Sequence, residues 1–143
     1  MTPRDVTIYA AVGLSVWLNG AVTFRLGGRF LFENGPGVTA AVAVVIALLV
    51  CLAFRATLAW RKGPANQAVT VAVIMALPGL FGEALRQLAF HWATGLAVAT
   101  APTFAAVILF GNGVLLTYAV ILQRRGERLT ATSAPEGLDH RRP

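Results

Sequence analysis

The sequence predicts an all-α fold, an integral membrane four-helix bundle, and three observations lead there. Four helix-length apolar runs fill most of the 143 residues. Apolar residues make up 57% of the chain and charged residues 13%, whereas a soluble domain carries about 25% charged residues. The charges also gather at the ends of the runs, and only the third run holds both a carboxylate and a guanidinium. Four spans of about 20 residues with short connections leave room for one bundle over residues 1–123 and a polar, unstructured tail over 124–143.

The first span is read over 6–24. A cleaved signal peptide is the competing reading, but Arg4 and Asp5 make a weak basic start, the stretch is long, and no A-x-A site follows. Asn34-Gly35-Pro36-Gly37 is a turn before the second span, 38–60, the most uniformly apolar of the four. Arg55 can snorkel from its last turns. The third span, 66–90, follows Lys62-Gly63-Pro64, and the fourth, 102–123, opens with Pro102, which a first helical turn tolerates. Length, more than periodicity, separates such runs from buried helices of soluble proteins.

Short connections predict consecutive spans as antiparallel neighbours, up-down-up-down. Lysine and arginine set the orientation. Arg4, Arg55, Arg61, Lys62, Arg124, Arg125, Arg128, Arg141 and Arg142 fall on the side of the N-terminus, the second connection and the tail, against Arg25, Arg29 and Arg86 opposite. Nine against three predicts both termini in the cytoplasm. Tyr9, Trp60 and Tyr118 then mark the inner boundary, and Trp92, beside His91, the outer one. The net charge of +6 is no nucleic-acid signature, because the bases flank apolar runs instead of forming a stripe. It reads as a topology signal and an attraction to anionic headgroups, with the lipid bilayer as the partner. The heavy use of arginine fits a GC-rich bacterial genome, hence the bacterial inner membrane.

Glu83 and Arg86, three apart on one helical face, can pair. Counted from Asn66, Glu83 lies about 25 Å along the helix, near the outer edge of the hydrocarbon. Arg25 and Arg29, four apart, lie on the same side. A partly buried carboxylate needs a partner or takes up a proton, so the expectation is an ion-pair or ligand cluster of Glu83 with Arg86, Arg25 or Arg29. Pro78-Gly79 is read as a helix break that frees the Ile74 carbonyl, with Gly79 and Gly82 permitting close helix approach. Asn19 and Asn112, near mid-depth on the first and fourth spans, are a candidate interhelical hydrogen bond, and Trp17 near mid-depth implies a face covered by protein. Cys51 reads as a buried small apolar residue. Two distant histidines, one cysteine and one intramembrane glutamate make no metal set, no catalytic constellation is recognisable, and no cofactor is implied.

Trp17 followed by Phe24-Arg25-Leu26, and Ala76-Leu77-Pro78-Gly79 followed by Glu83, with a looser match over Gly111 to Tyr118, resemble an uncharacterised family of small four-span bacterial inner-membrane proteins. The resemblance covers most of the membrane core and implies fold and location only. Function stays open between a non-catalytic protein acting through assembly, as a homo-oligomer or in a larger complex, and a small oligomeric transporter or channel with Glu83 and the arginines at an outer-side site. A membrane enzyme acting on lipid or quinone has the least support.

Overall fold

A computed structural model of the chain describes residues 1–63, 65–89 and 101–132. The described residues form four α-helices: α1 (Pro3–Phe32), α2 (Pro36–Trp60), α3 (Ala68–Ala89) and α4 (Ala101–Thr132), with a short 3-10 turn (Ala65–Gln67) before α3. All four are long and apolar enough to cross a membrane.

Local chemistry explains where they begin and end. Thr2 and Asp5 form a capping box on α1, with the Thr2 amide donating to the Asp5 carboxylate at 2.9 Å and Pro3 in the first turn. Glu33 closes α1 by donating its amide to the Arg29 carbonyl. Gly35, at φ +93°, makes the reversal that leads into Pro36 at the start of α2. After Trp60 the Gly63 amide reaches back to the Leu58 carbonyl and the Lys62 amide to that of Ala59. This is a Schellman closure, with Lys62 at φ +50° in the place glycine usually takes. The start of α3 is satisfied from outside: Gln123 of α4 accepts the Val69 amide at 3.2 Å.

The helices do not pack in chain order. The extensive seams are α1–α3, α2–α4 and α3–α4, whereas α1–α2 and α2–α3 are sparse. The expectation of consecutive neighbours holds for α3 and α4 and is corrected for α1–α2 and α2–α3. A short turn joins α1 to α2, and Asp5 pairs with Arg61 at their other ends, while Gly13 draws α1 onto the backbone of Met75 in α3. α2 instead presents Val44, Val45, Leu48, Leu49 and Leu52 outward. α3 is the central element: 39% of its apolar window is buried, against 11% for α1 and α2 and 22% for α4.

Two clusters make the core. One, around Tyr9, Phe54, Val71, Met75 and Leu115, draws on all four helices. The other, Phe24, Phe32, Phe104, Val107 and Ile108, lies toward the opposite end. Contacts bring the start of α1, the end of α2, the start of α3 and the end of α4 to the first end, where Arg61 pairs with Asp5 and Gly126 approaches Ala65. The Asp5 carboxylate, as the hydrogen-bond acceptor, pushes the Arg61 guanidinium further up from its already high value.

Two further expectations meet a different structure. α3 runs unbroken through Pro78. A proline deletes one donor, and in a packed apolar setting the remaining helical bonds have no water to compete with them. α4 continues to Thr132, so the polar segment that starts at Arg124 opens as helix. Gln123 donates to Glu127 one turn on, at 3.1 Å, and Gly126 rests on Ala65. The rest of the tail, and the connection between α3 and α4 with His91 and Trp92, lie outside the described residues.

Candidate functional site

Glu83 and Arg86 sit in the last two turns of α3, with 4% and 3% of their surface exposed. Arg86 holds Glu83 with both sides of its fork: Nε donates to Oε2 at 2.9 Å, and Nη2 donates to Oε1. Gln87 adds a longer hydrogen bond to Oε1, at 3.4 Å. Both carboxylate oxygens are therefore engaged, and the pair is neutral as a unit. The guanidinium lies 4.7 Å above the Phe104 ring, which in turn meets Phe24 edge-on at 4.5 Å, with Phe32 5.0 Å from Phe24. A cation over a ring face gains from the ring quadrupole, more so when desolvated. Arg86 Nη1 is buried without a hydrogen-bond partner among the described residues.

Arg25 and Arg29 do not join this pair. Both are exposed on α1, and neither forms an ion pair among the described residues. Their spacing along α1 puts them beside each other on an exposed face, whereas Phe24 of the same helix is buried against Phe32 and Phe104.

The second feature is a cleft of about 640 Å³ along the sparse α1–α2 seam. It extends on α1 from Ile8 to Phe24, a rise of about 24 Å. The walls are aliphatic, with polar groups from Ser15, Asn19, Thr23 and Asn112. Asn19 and Asn112 both line it, but they do not bond to each other. Asn19 Nδ2 donates to the Ser15 carbonyl at 3.2 Å, and Asn112 Nδ2 to the Ile108 carbonyl at 2.9 Å. An amide four residues from a carbonyl on its own helix finds that acceptor before a more distant one. Ser15 likewise donates to Ala11 at 2.8 Å. The two amide oxygens are left without a protein partner among the described residues.

The floor of the cleft is built on glycine. Trp17 lies on Gly79 and Gly82 of α3, where an added Cβ would come within 3.4 Å and 2.8 Å of the indole side chain. The Pro78-Gly79 segment thus acts as a shelf for Trp17. Trp17 Nε1 is buried there without an acceptor.

Sequence reasoning did not find the Asp5–Arg61 pair, the aromatic lid of Phe24, Phe32 and Phe104, or the role of Gly13. Asp5 had a signal, as the one carboxylate near the N-terminus in a chain whose second connection is basic. The Ser15, Asn19, Thr23 stripe, at intervals of four, had one as well. Among the described residues no group of three His, Cys, Asp or Glu side chains comes together as a metal site.

No curated protein and no solved structure matches the chain. A family model does match, over residues 30–126. That segment takes in the end of α1, all of α2 and α3, and most of α4, and so contains the Glu83–Arg86 pair, the Pro78-Gly79 shelf and the Asn112 wall of the cleft. With that share of its length matched, the chain belongs to DUF5367, a family of unknown function.

Proposed function

We propose that this is a non-catalytic integral membrane protein that acts through assembly, with the α1–α2 cleft as the surface that receives a second copy of the chain. The observation that carries the reading is the pair of asparagines in the cleft. Each amide donates within its own helix, but its oxygen has no partner among the described residues; a polar group left unpaired away from water costs about 1–3 kcal/mol by protein mutational data, and lipid chains offer nothing to bond. A helix from another copy, with its own Ser15, Asn19 and Thr23 stripe, offers both donors and acceptors. Each such interhelical bond is worth roughly 0.6–2 kcal/mol. Length supports the same occupant. The cleft spans about 24 Å of an apolar core about 30 Å thick, so it crosses both leaflets, as a helix does and a single acyl chain does not.

The bundle is read as up-down-up-down with both termini cytoplasmic, in the inner membrane of a bacterium. Arg4, Arg61, Lys62, Arg124 and Arg125 fall at the end of the bundle that holds the Asp5–Arg61 pair, and Arg25, Arg29 and Arg86 at the other, which supports that orientation by the positive-inside rule. The closed, neutral Glu83–Arg86 pair favours a structural role for Glu83 over an outer-side transport site.

The test is the mass of the purified protein in mild detergent and in nanodiscs, by native mass spectrometry. A dimer or small homo-oligomer that dissociates in the Asn19→Leu/Asn112→Leu double variant supports the reading. A monomer in both settings, or oligomers that the double variant leaves intact, overturns it. Stoichiometric co-purification with another membrane protein, without self-association, overturns the choice of a second copy as occupant.

A further inference from the structure

We propose that Arg25 and Arg29 form a clamp for the phosphate of an anionic phospholipid, at the end of the bundle opposite the Asp5–Arg61 pair. The proposal is independent of the assembly reading.

It begins with the length of α1. Its 30 residues reach about 45 Å, well beyond a hydrocarbon core of about 30 Å. Counted from Val6, next to the Asp5–Arg61 pair, Arg25 lies about 28 Å along the axis and Arg29 about 6 Å further. The helix therefore brings Arg25 to the edge of the hydrocarbon and Arg29 to the level of the headgroup phosphates. Helical spacing of four sets the two guanidinium groups on one face.

Among the described residues neither cation has an ion-pair partner. Glu83 is taken by Arg86. Glu33, the cap residue of α1 four positions after Arg29, makes no ion pair among the described residues. The segment 90–100 contains neither aspartate nor glutamate.

Between the two arginines the surface is recessed. Gly27 leaves open space where a side chain would project, and an open groove of about 390 Å³ is lined there by Phe24 through Phe30. Leu26 and Phe30, 84% and 73% exposed, flank the recess. A phosphate can take bidentate hydrogen bonds from a guanidinium fork, while the apolar pair faces the first carbons of the acyl chains. Phosphatidylglycerol or cardiolipin fits better than a zwitterionic lipid, whose own cation opposes Arg25 and Arg29.

The test uses the full chain in mild detergent, titrated with phosphatidylglycerol and with phosphatidylcholine and read by native mass spectrometry. The expected result is a preference of about tenfold or more for phosphatidylglycerol, given the attraction of two arginines near a membrane surface. In Arg25→Gln/Arg29→Gln the preference falls to about one, with an unchanged unfolding midpoint because both side chains are exposed. Arg124→Gln/Arg125→Gln keeps it. An undiminished preference in the Arg25/Arg29 variant, or its loss in the Arg124/Arg125 variant, overturns the proposal. Inorganic phosphate separates the sources: if it displaces the bound lipid at millimolar concentration, the site is one for soluble anions and the lipid assignment fails.

Discussion

Gly13 on α1 faces the Met75 carbonyl on α3 with no room for a side chain between them: a Cβ built on Gly13 would lie 1.9 Å from that oxygen. The obstacle is main chain, which cannot swing aside as a side chain tip can. Gly13→Ala should therefore destabilise the bundle at the upper end of the overpacking range, about 3 kcal/mol. Gly20→Ala, seven residues on and with nothing within 4 Å, should leave stability within about 0.5 kcal/mol. Unfolding in mild detergent, followed by tryptophan fluorescence, compares the two.

The shelf under Trp17 makes a graded case. At Gly82 an added methyl group would press on the indole at 2.8 Å, and at Gly79 it would make ordinary contact at 3.4 Å or more. Gly82→Ala should lower the unfolding midpoint more than Gly79→Ala. Trp17→Phe should cost less than most large-to-small core changes, under about 3 kcal/mol, because the buried Nε1 has no hydrogen bond to lose.

For Glu83 and Arg86, structural and functional roles separate by a double-mutant cycle. Arg86→Met leaves a buried carboxylate without its partner, at a cost of about 3–5 kcal/mol. The double change Glu83→Leu/Arg86→Met removes both charges from an environment of phenylalanines and should recover most of that loss. The checking measurement is chemical or thermal unfolding of the four proteins. Additive losses in the double variant would mean the two side chains do not act as a pair.

The Asp5–Arg61 pair, part-exposed at 21% and 29% of their side chains, should behave as an interfacial contact. Asp5→Asn removes the ion pair and weakens the capping box. It should lower the unfolding midpoint at low ionic strength, and the difference from the parent should narrow in high salt, which screens the pair in the parent.

The spans were legible because hydrocarbon dictates length: runs over 6–24, 38–60, 66–90 and 102–123 each fall within or nearly within an observed helix. Where the helices stop was less legible, because polar turns continue α1 to Phe32 and α4 to Thr132 through charge spacing and packing that hydropathy does not see. Neighbour order was legible only for α3 and α4. α2 is apolar on every face, so its sequence gives no direction, and the choice of α3 as partner for α1 is made by Gly13 and Trp17 meeting residues about 60 positions away. The spacing of Glu83 and Arg86 shows that they can meet on one helix. That Phe104 of α4 lies over Arg86 and packs against Phe24 and Phe32 of α1, while Arg25 and Arg29 stay exposed, depends on packing that no local pattern carries.

The most direct test of assembly through the cleft is cross-linking in native membranes. With Cys51 replaced by alanine, Ala11→Cys places one thiol on the α1 wall of the cleft and leaves both asparagines in place, and Leu52→Cys places one on an outward face of α2. Treatment with a short bis-maleimide should give a covalent dimer for Ala11→Cys and little for Leu52→Cys. A monomer for Ala11→Cys, in membranes where the same thiol is shown to react with a monofunctional maleimide, would contradict the assignment of the cleft as the surface that receives a second copy.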